Sequence, residues 1–158
     1  MSLEGIIMAG YTMPLPERDE MFNTKGKLLQ TIMVSLGGRI AEELTFDDIT
    51  TGASQDIKQA TGMAKAMVTK YGMSDNMGLI CYGNDEEEIF VGRDFGHERG
   101  YAEDTASAID KEVKNIVDDC YEKAKKIITE HMDVLEKSAM LLMEKEKIGQ
   151  EEFEALFA

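Results

Sequence analysis

From Thr105 onward the chain places apolar side chains at steps of three and four: Ala106, Ile109, Val113, Ile116, Cys120, Ala124 and Ile127. That spacing gathers them on one side of an α-helix of about six turns. Lys111, Lys114, Asp118, Glu122 and Lys125 take the other faces. A helix with one apolar stripe must bury it against other elements, so this block limits the chain to packed helical architectures. Met132, Leu135, Ala139 and Leu142 continue the pattern after a break expected near His131. Ile148-Gly149-Gln150 reads as a turn, and Glu151 to Phe157 as a short last helix that buries Phe153, Leu156 and Phe157.

Two further segments carry the same period. Lys25 to Leu44, preceded by Asn23-Thr24, sets Ile32, Leu36, Ile40 and Leu44 on one face, with Leu29 and Met33 beside it. Gly37-Gly38 interrupts this run. Each glycine costs about 1 kcal/mol against alanine inside a helix, and a close helix–helix approach is the usual compensation. The third segment, residues 52–71, follows a short polar entry in which Thr51 or Ser54 is a candidate N-cap. Asp56 falls in its first turn, where the helix dipole favours a carboxylate. It heads a stripe of Asp56, Ala60, Met63, Met67 and Tyr71. On periodicity alone this is a dipole-stabilising aspartate on an ordinary amphipathic helix. Near the N-terminus, Ile6 to Leu15, with Pro14 and Pro16, reads as one short edge strand or hairpin. The expected fold is mainly α, a bundle-like helical domain with that short strand.

Length and composition bound the function. The 158 residues fit one domain, and the net charge of −14 argues against nucleic acid or an anionic membrane surface as partner. No apolar run approaches the ~18 residues that a membrane span needs. Cys81 and Cys120 stand 39 positions apart, so neither zinc-ribbon nor C-x-x-C spacing exists. Reduced, structural cysteines are expected. The twelve methionines read as packing. Met1-Ser2-Leu3 reads as an expression start outside the fold.

Thr51-Gly52-Ala53-Ser54-Gln55-Asp56-Ile57, followed by Met67-Val68-Thr69-Lys70-Tyr71-Gly72-Met73-Ser74, resembles the peptidase domain of FtsH-type ATP-dependent zinc metalloproteases. Gly10, Tyr11, Thr12 and Pro16 match the Gly-Tyr-Thr segment that follows the family's metal-binding helix. Leu36-Gly37-Gly38-Arg39-Ile40-Ala41-Glu42-Glu43 matches a second motif, and Gly92 to Arg99 a third, with Gly100 where asparagine is typical. The resemblance runs in order from about Gly10 to Phe157 over residues 4–158. It implies a partial, C-terminal stretch of a zinc metallopeptidase domain. Asp56 is then the third zinc ligand.

The resemblance also implies what surrounds this stretch in the parent protein. An ATPase module lies upstream, the assembly is a homo-hexamer, and the protein is anchored at the cytoplasmic face of the bacterial inner membrane. Its substrates are unfolded or membrane proteins.

A zinc peptidase of this kind needs two imidazoles at i and i+4 on a helix with a glutamate between them. The only histidines here are His97 and His131, 34 positions apart. The chain by itself is therefore expected to hold no zinc or ATP tightly and to hydrolyse no peptide. Glu42 and Glu43, without a nearby histidine, read as a solvated or supporting pair. The cluster Arg93, Asp94, His97, Glu98 and Arg99 reads as internal salt bridging or a subunit contact. A ferritin-like di-iron bundle would need two Glu-x-x-His pairs, and none exists. The alternative class is a non-catalytic acidic helical domain that binds protein partners.

Overall fold

The computed structural model describes residues 22–83 and 102–158. Among them the fold is helical, with no strand assigned. The edge strand expected within residues 6–15 and the polar cluster around His97 lie outside the described residues.

The first helix, α1 (Lys25–Phe46), begins where Thr24 turns the chain from extended backbone. The Thr24 hydroxyl accepts from the Lys27 amide at 3.2 Å. That bond satisfies one of the four orphan donors of the first turn. The helix ends at Phe46, two residues beyond the expected Leu44, where the left-handed backbone of Asp47 (φ 51°) stops it. A 3-10 turn, Thr51–Ala53, leads straight into α2 (Ser54–Thr69). The helix α3 (Glu103–Glu130) is the long one, and α4 (Met132–Lys145) follows the break at His131. The chain closes with α5 (Gln150–Glu154) and a 3-10 turn, Ala155–Phe157.

Helices α1, α2 and α3 pack mutually and hold the core. Leu28, Ile32, Leu36 and Ile40 are the buried line of α1, and they meet Ala60, Ala64 and Met67 of α2 and Cys120 and Ala124 of α3. The large side chains of α1 thus pack against Met67 and against the small Ala60, Ala64, Cys120 and Ala124 of its neighbours. A second cluster joins Val68, Met77 and Ile109, with Tyr82 against it. Burial pushes the Cys120 thiol above its ordinary value. Its sulfur donates weakly to the Leu29 carbonyl at 3.7 Å, so it serves as a core residue.

Four expectations are corrected here. A Cβ built on Gly37 or Gly38 would meet nothing within 4 Å, so no described helix makes the close approach expected there. On α4 the buried positions are Val134 and Ser138, whereas Leu142 is 43% exposed. The buried pair continues the three-and-four steps of α3 (Ala124, Ile127, His131, Val134, Ser138), one position off the face that Leu135, Ala139 and Leu142 would form. Phe153 and Phe157 are half-exposed, not buried, and Leu156 is only partly buried. They form an edge-to-face chain, Phe153 on Phe157 at 5.4 Å and Phe157 on His131 at 5.2 Å. Ile127 is also exposed, so the long stripe of α3 is covered only as far as Ala124.

The loop after α2 is fastened to α3 through one carboxylate. Glu112 accepts from the Ser74 hydroxyl at 2.6 Å and from the Asn76 amide at 2.8 Å. The buried Ser74 oxygen in turn accepts from the Met77 amide at 3.3 Å. Gly72 reverses the chain at φ +59°, a conformation open to glycine at no steric cost. Leu79 to Tyr82 is irregular; the Tyr82 amide bonds back to the Thr69 carbonyl at 2.8 Å and its hydroxyl to the Met77 carbonyl at 2.9 Å.

The Ser74 and Asn76 hydrogen bonds hold the Glu112 carboxyl below its ordinary value near 4.5. A carboxyl depressed in the folded state stabilises above the unfolded value, and that contribution is lost as pH falls through the folded one. Acid below pH 4.5 is therefore expected to release the loop. Glu112→Gln should remove about 1–2 kcal/mol at pH 7 and flatten the acid limb. Urea denaturation at pH 7 and at pH 3 checks this; equal losses at both would contradict it.

Candidate metal-ligand site at the head of the second helix

The segment that presents Asp56 is built from α1 outward. Asp48 bonds the Ile49 amide through its own carboxylate at 2.7 Å, a local turn. The Arg39 guanidinium donates to the Thr50 carbonyl at 2.9 Å, across eleven positions of sequence. The Thr50 hydroxyl then accepts from the Gly52 amide at 3.1 Å. Thr50 is thus the capping side chain, not Thr51 or Ser54; Ala53 occupies the cap of α2 with no side-chain bond. Ala53 is buried and anchors the turn.

Asp56 follows in the first turn of α2, exposed, with no hydrogen bond or ion pair to any described residue. Along its stripe Ala60 and Met67 are buried, while Asp56 and Tyr71 emerge at the two ends. The packed middle fixes the helix, and the dipole at its head favours the charged carboxylate. The result is a carboxylate held by a rigid element with both oxygens available to a ligand outside the described residues. A shallow cleft of about 260 Å³ lined by Phe22, Asn23, Leu28, Tyr71 and Met73 lies at the other end of the stripe. At 1.5 Å per residue it is roughly 22 Å from Asp56, and it is no part of this site.

The other carboxylates of α1 are engaged structurally. Glu43 accepts from the Tyr121 hydroxyl at 2.6 Å and from Lys125 at 3.4 Å. Those two donors, Tyr121 first, hold its carboxyl below the ordinary range, and the same carboxylate raises the Tyr121 phenol. Lys125 also lies 5.3 Å from the Tyr121 ring centroid, and both partners raise its ammonium. Glu42 sits 3.8 Å from Arg39. Glu43 thus ties α1 to α3, whereas Glu42 pairs within α1 itself.

No three His, Cys, Asp or Glu side chains converge among the described residues, so these residues alone do not fit a complete zinc site. Asp56 fits as one donor of a shared site, because its oxygens carry no competing bond. His131 packs against Phe157 at the junction of α3 and α4, and nothing brings it to Asp56.

The model of Peptidase family M41 matches residues 5–156. The chain belongs to that family. Among curated relatives, the ATP-dependent zinc metalloprotease FtsH of Caldicellulosiruptor bescii is 47% identical over 147 residues, 93% of this chain and 24% of the relative. The ATP-dependent zinc metalloprotease FtsH 1 of a Thermoanaerobacter species is 46% identical over 148 residues, 94% of this chain and 24% of its own length. The FtsH of Thermotoga maritima is 42% identical over 149 residues, again 94% and 24%. The chain of this M41 member thus spans about a quarter of the length of these relatives. Among its described residues no helix is long and apolar enough to cross a membrane.

Two ties at this site could not be read from local spacing, although Arg39 lies in a matched motif. The Arg39–Thr50 bond joins a side chain to a backbone oxygen in another element. Thr50 lies one position before the Thr-Gly-Ala wording that pointed to Thr51.

Proposed function

We propose that this chain is the C-terminal helical part of the proteolytic domain of an ATP-dependent zinc metalloendopeptidase, and that Asp56 is its contribution to the zinc site. The observation that carries the reading is the carboxylate of Asp56, without a partner among the described residues, in the first turn of a packed helix within an M41 chain. Zinc sites of catalytic type draw on three protein ligands. In this reading two imidazoles come from outside this chain, and α2 fixes where the third donor stands. Zinc, when bound, supplies Lewis acidity toward water and the peptide carbonyl. The residues of this chain hold Asp56 at a set height over α1 and keep α2 from shifting.

The relatives are named as ATP-dependent metalloproteases; in this reading the parent carries an ATP-driven module and takes unfolded or membrane proteins as substrates. In this reading the parent is anchored at the cytoplasmic face of the bacterial inner membrane and works as a homo-hexamer. The chain alone, without a His-Glu-x-x-His pair, is inactive in this reading. The family match favours this over a non-catalytic interaction domain.

The test is a degradation assay with an unfolded protein, zinc and ATP, run on the intact parent and on this chain alone. The parent is expected to degrade the substrate and the chain to leave it whole. A parent without activity, or cleavage by the chain alone, would sink the proposal.

A further inference from the structure

The head of α2 is joined to α1 by a single hydrogen bond among the described residues. Between the end of α1 at Phe46 and the start of α2 at Ser54, the segment turns at Asp47, runs extended at Thr50 (φ −112°, ψ 176°) and curls through Thr51–Ala53. Its other hydrogen bonds are local, Asp48 with Ile49 and Thr50 with Gly52. Only the Arg39 guanidinium, its side chain 24% exposed, reaches in from α1, at 2.9 Å from the Thr50 carbonyl. A charged donor on a carbonyl is among the stronger hydrogen bonds, and a planar guanidinium fixes direction as well as distance.

Thr50 is the residue whose hydroxyl caps the 3-10 turn, and that turn runs without a break into α2. A shift of Thr50 therefore passes directly to the backbone of residues 51–56. We propose that Arg39 is a positioning residue for Asp56: it clamps the Thr50 carbonyl and so sets the height and rotation at which α2 offers the carboxylate. This rests on the reading of Asp56 as a zinc ligand. Arg39 touches neither metal nor substrate; it acts through the turn. Groups that hold metal ligands in place change metal affinity by about 10–100-fold when removed.

The experiment compares Arg39→Met, Arg39→Lys and Asp56→Asn in the intact protein. It reads the zinc dissociation constant by competition with a chromogenic chelator, and amide exchange of the peptide covering residues 50–57 by mass spectrometry. Arg39→Met is expected to weaken zinc about tenfold or more and to speed exchange at residues 51–54, with the helical circular dichroism unchanged. Arg39→Lys, which keeps a charge and one donor, should lie between, at about two- to fivefold. Asp56→Asn should lose zinc while keeping wild-type exchange. If Arg39→Met binds zinc as wild type while Asp56→Asn does not, the positioning role is wrong and the ligand reading stands. If Asp56→Asn also retains zinc, the ligand reading falls and takes this inference with it. Should Arg39→Met unfold, Arg39→Lys decides. Partial weakening with faster exchange supports the clamp, and wild-type affinity overturns it.

Discussion

Ile32→Ala is expected to lower the unfolding free energy by about 3–4 kcal/mol. Ile32 is fully buried at the centre of α1, in the cluster that includes Met67 of α2 and Cys120 of α3. Truncation removes three carbon atoms' worth of transfer energy and leaves a cavity that two packed helices cannot close. Val34, on the same helix, is 73% exposed. Val34→Ala should stay within about 0.5 kcal/mol of wild type, and it isolates burial from helix propensity. Urea denaturation of both variants is the check. Equal losses at the two positions would mean that the three-helix core is misassigned.

The helices were readable because their stripes are long. Leu36 and Ile40 lie on the face that the period of α1 predicts, and Ala106, Ile109, Cys120 and Ala124 do the same for α3. Periodicity reports a face and not where its cover ends, which is why Ile127 is exposed despite fitting the pattern. It also does not choose between adjacent stripes: on α4 the buried pair is Val134 and Ser138, one position from the expected Leu135 and Ala139. The Gly37-Gly38 pair was read as a helix contact, yet both face open space among the described residues.

Asp56 drew notice for a different reason. Physics alone makes it a dipole-stabilising aspartate; the order Thr51-Gly52-Ala53-Ser54-Gln55-Asp56 singled it out. What the sequence could not carry were the ties that cross elements: Arg39 to Thr50, Glu112 to Ser74 and Asn76, and Tyr121 to Glu43. Each depends on a distance between helices that no local spacing encodes.

Asp56→Asn is expected to reduce proteolysis by the intact protein by at least about a hundredfold, the cost of losing a metal ligand exceeding that of losing its supports. The fold should survive. Asp56 makes no hydrogen bond among the described residues, so the substitution breaks none, and an amide remains acceptable in a first helical turn. The charge is the loss, because a neutral amide oxygen is a far poorer zinc donor than a carboxylate. A structural aspartate would behave in the opposite way, with a shift in stability and little effect on metal. The direct measurement is the zinc content of the intact protein, wild type against Asp56→Asn, after dialysis against a weak chelator. One zinc per protomer in the wild type and almost none in a variant with unchanged melting temperature is the predicted result; full zinc occupancy in a folded Asp56→Asn variant would contradict it.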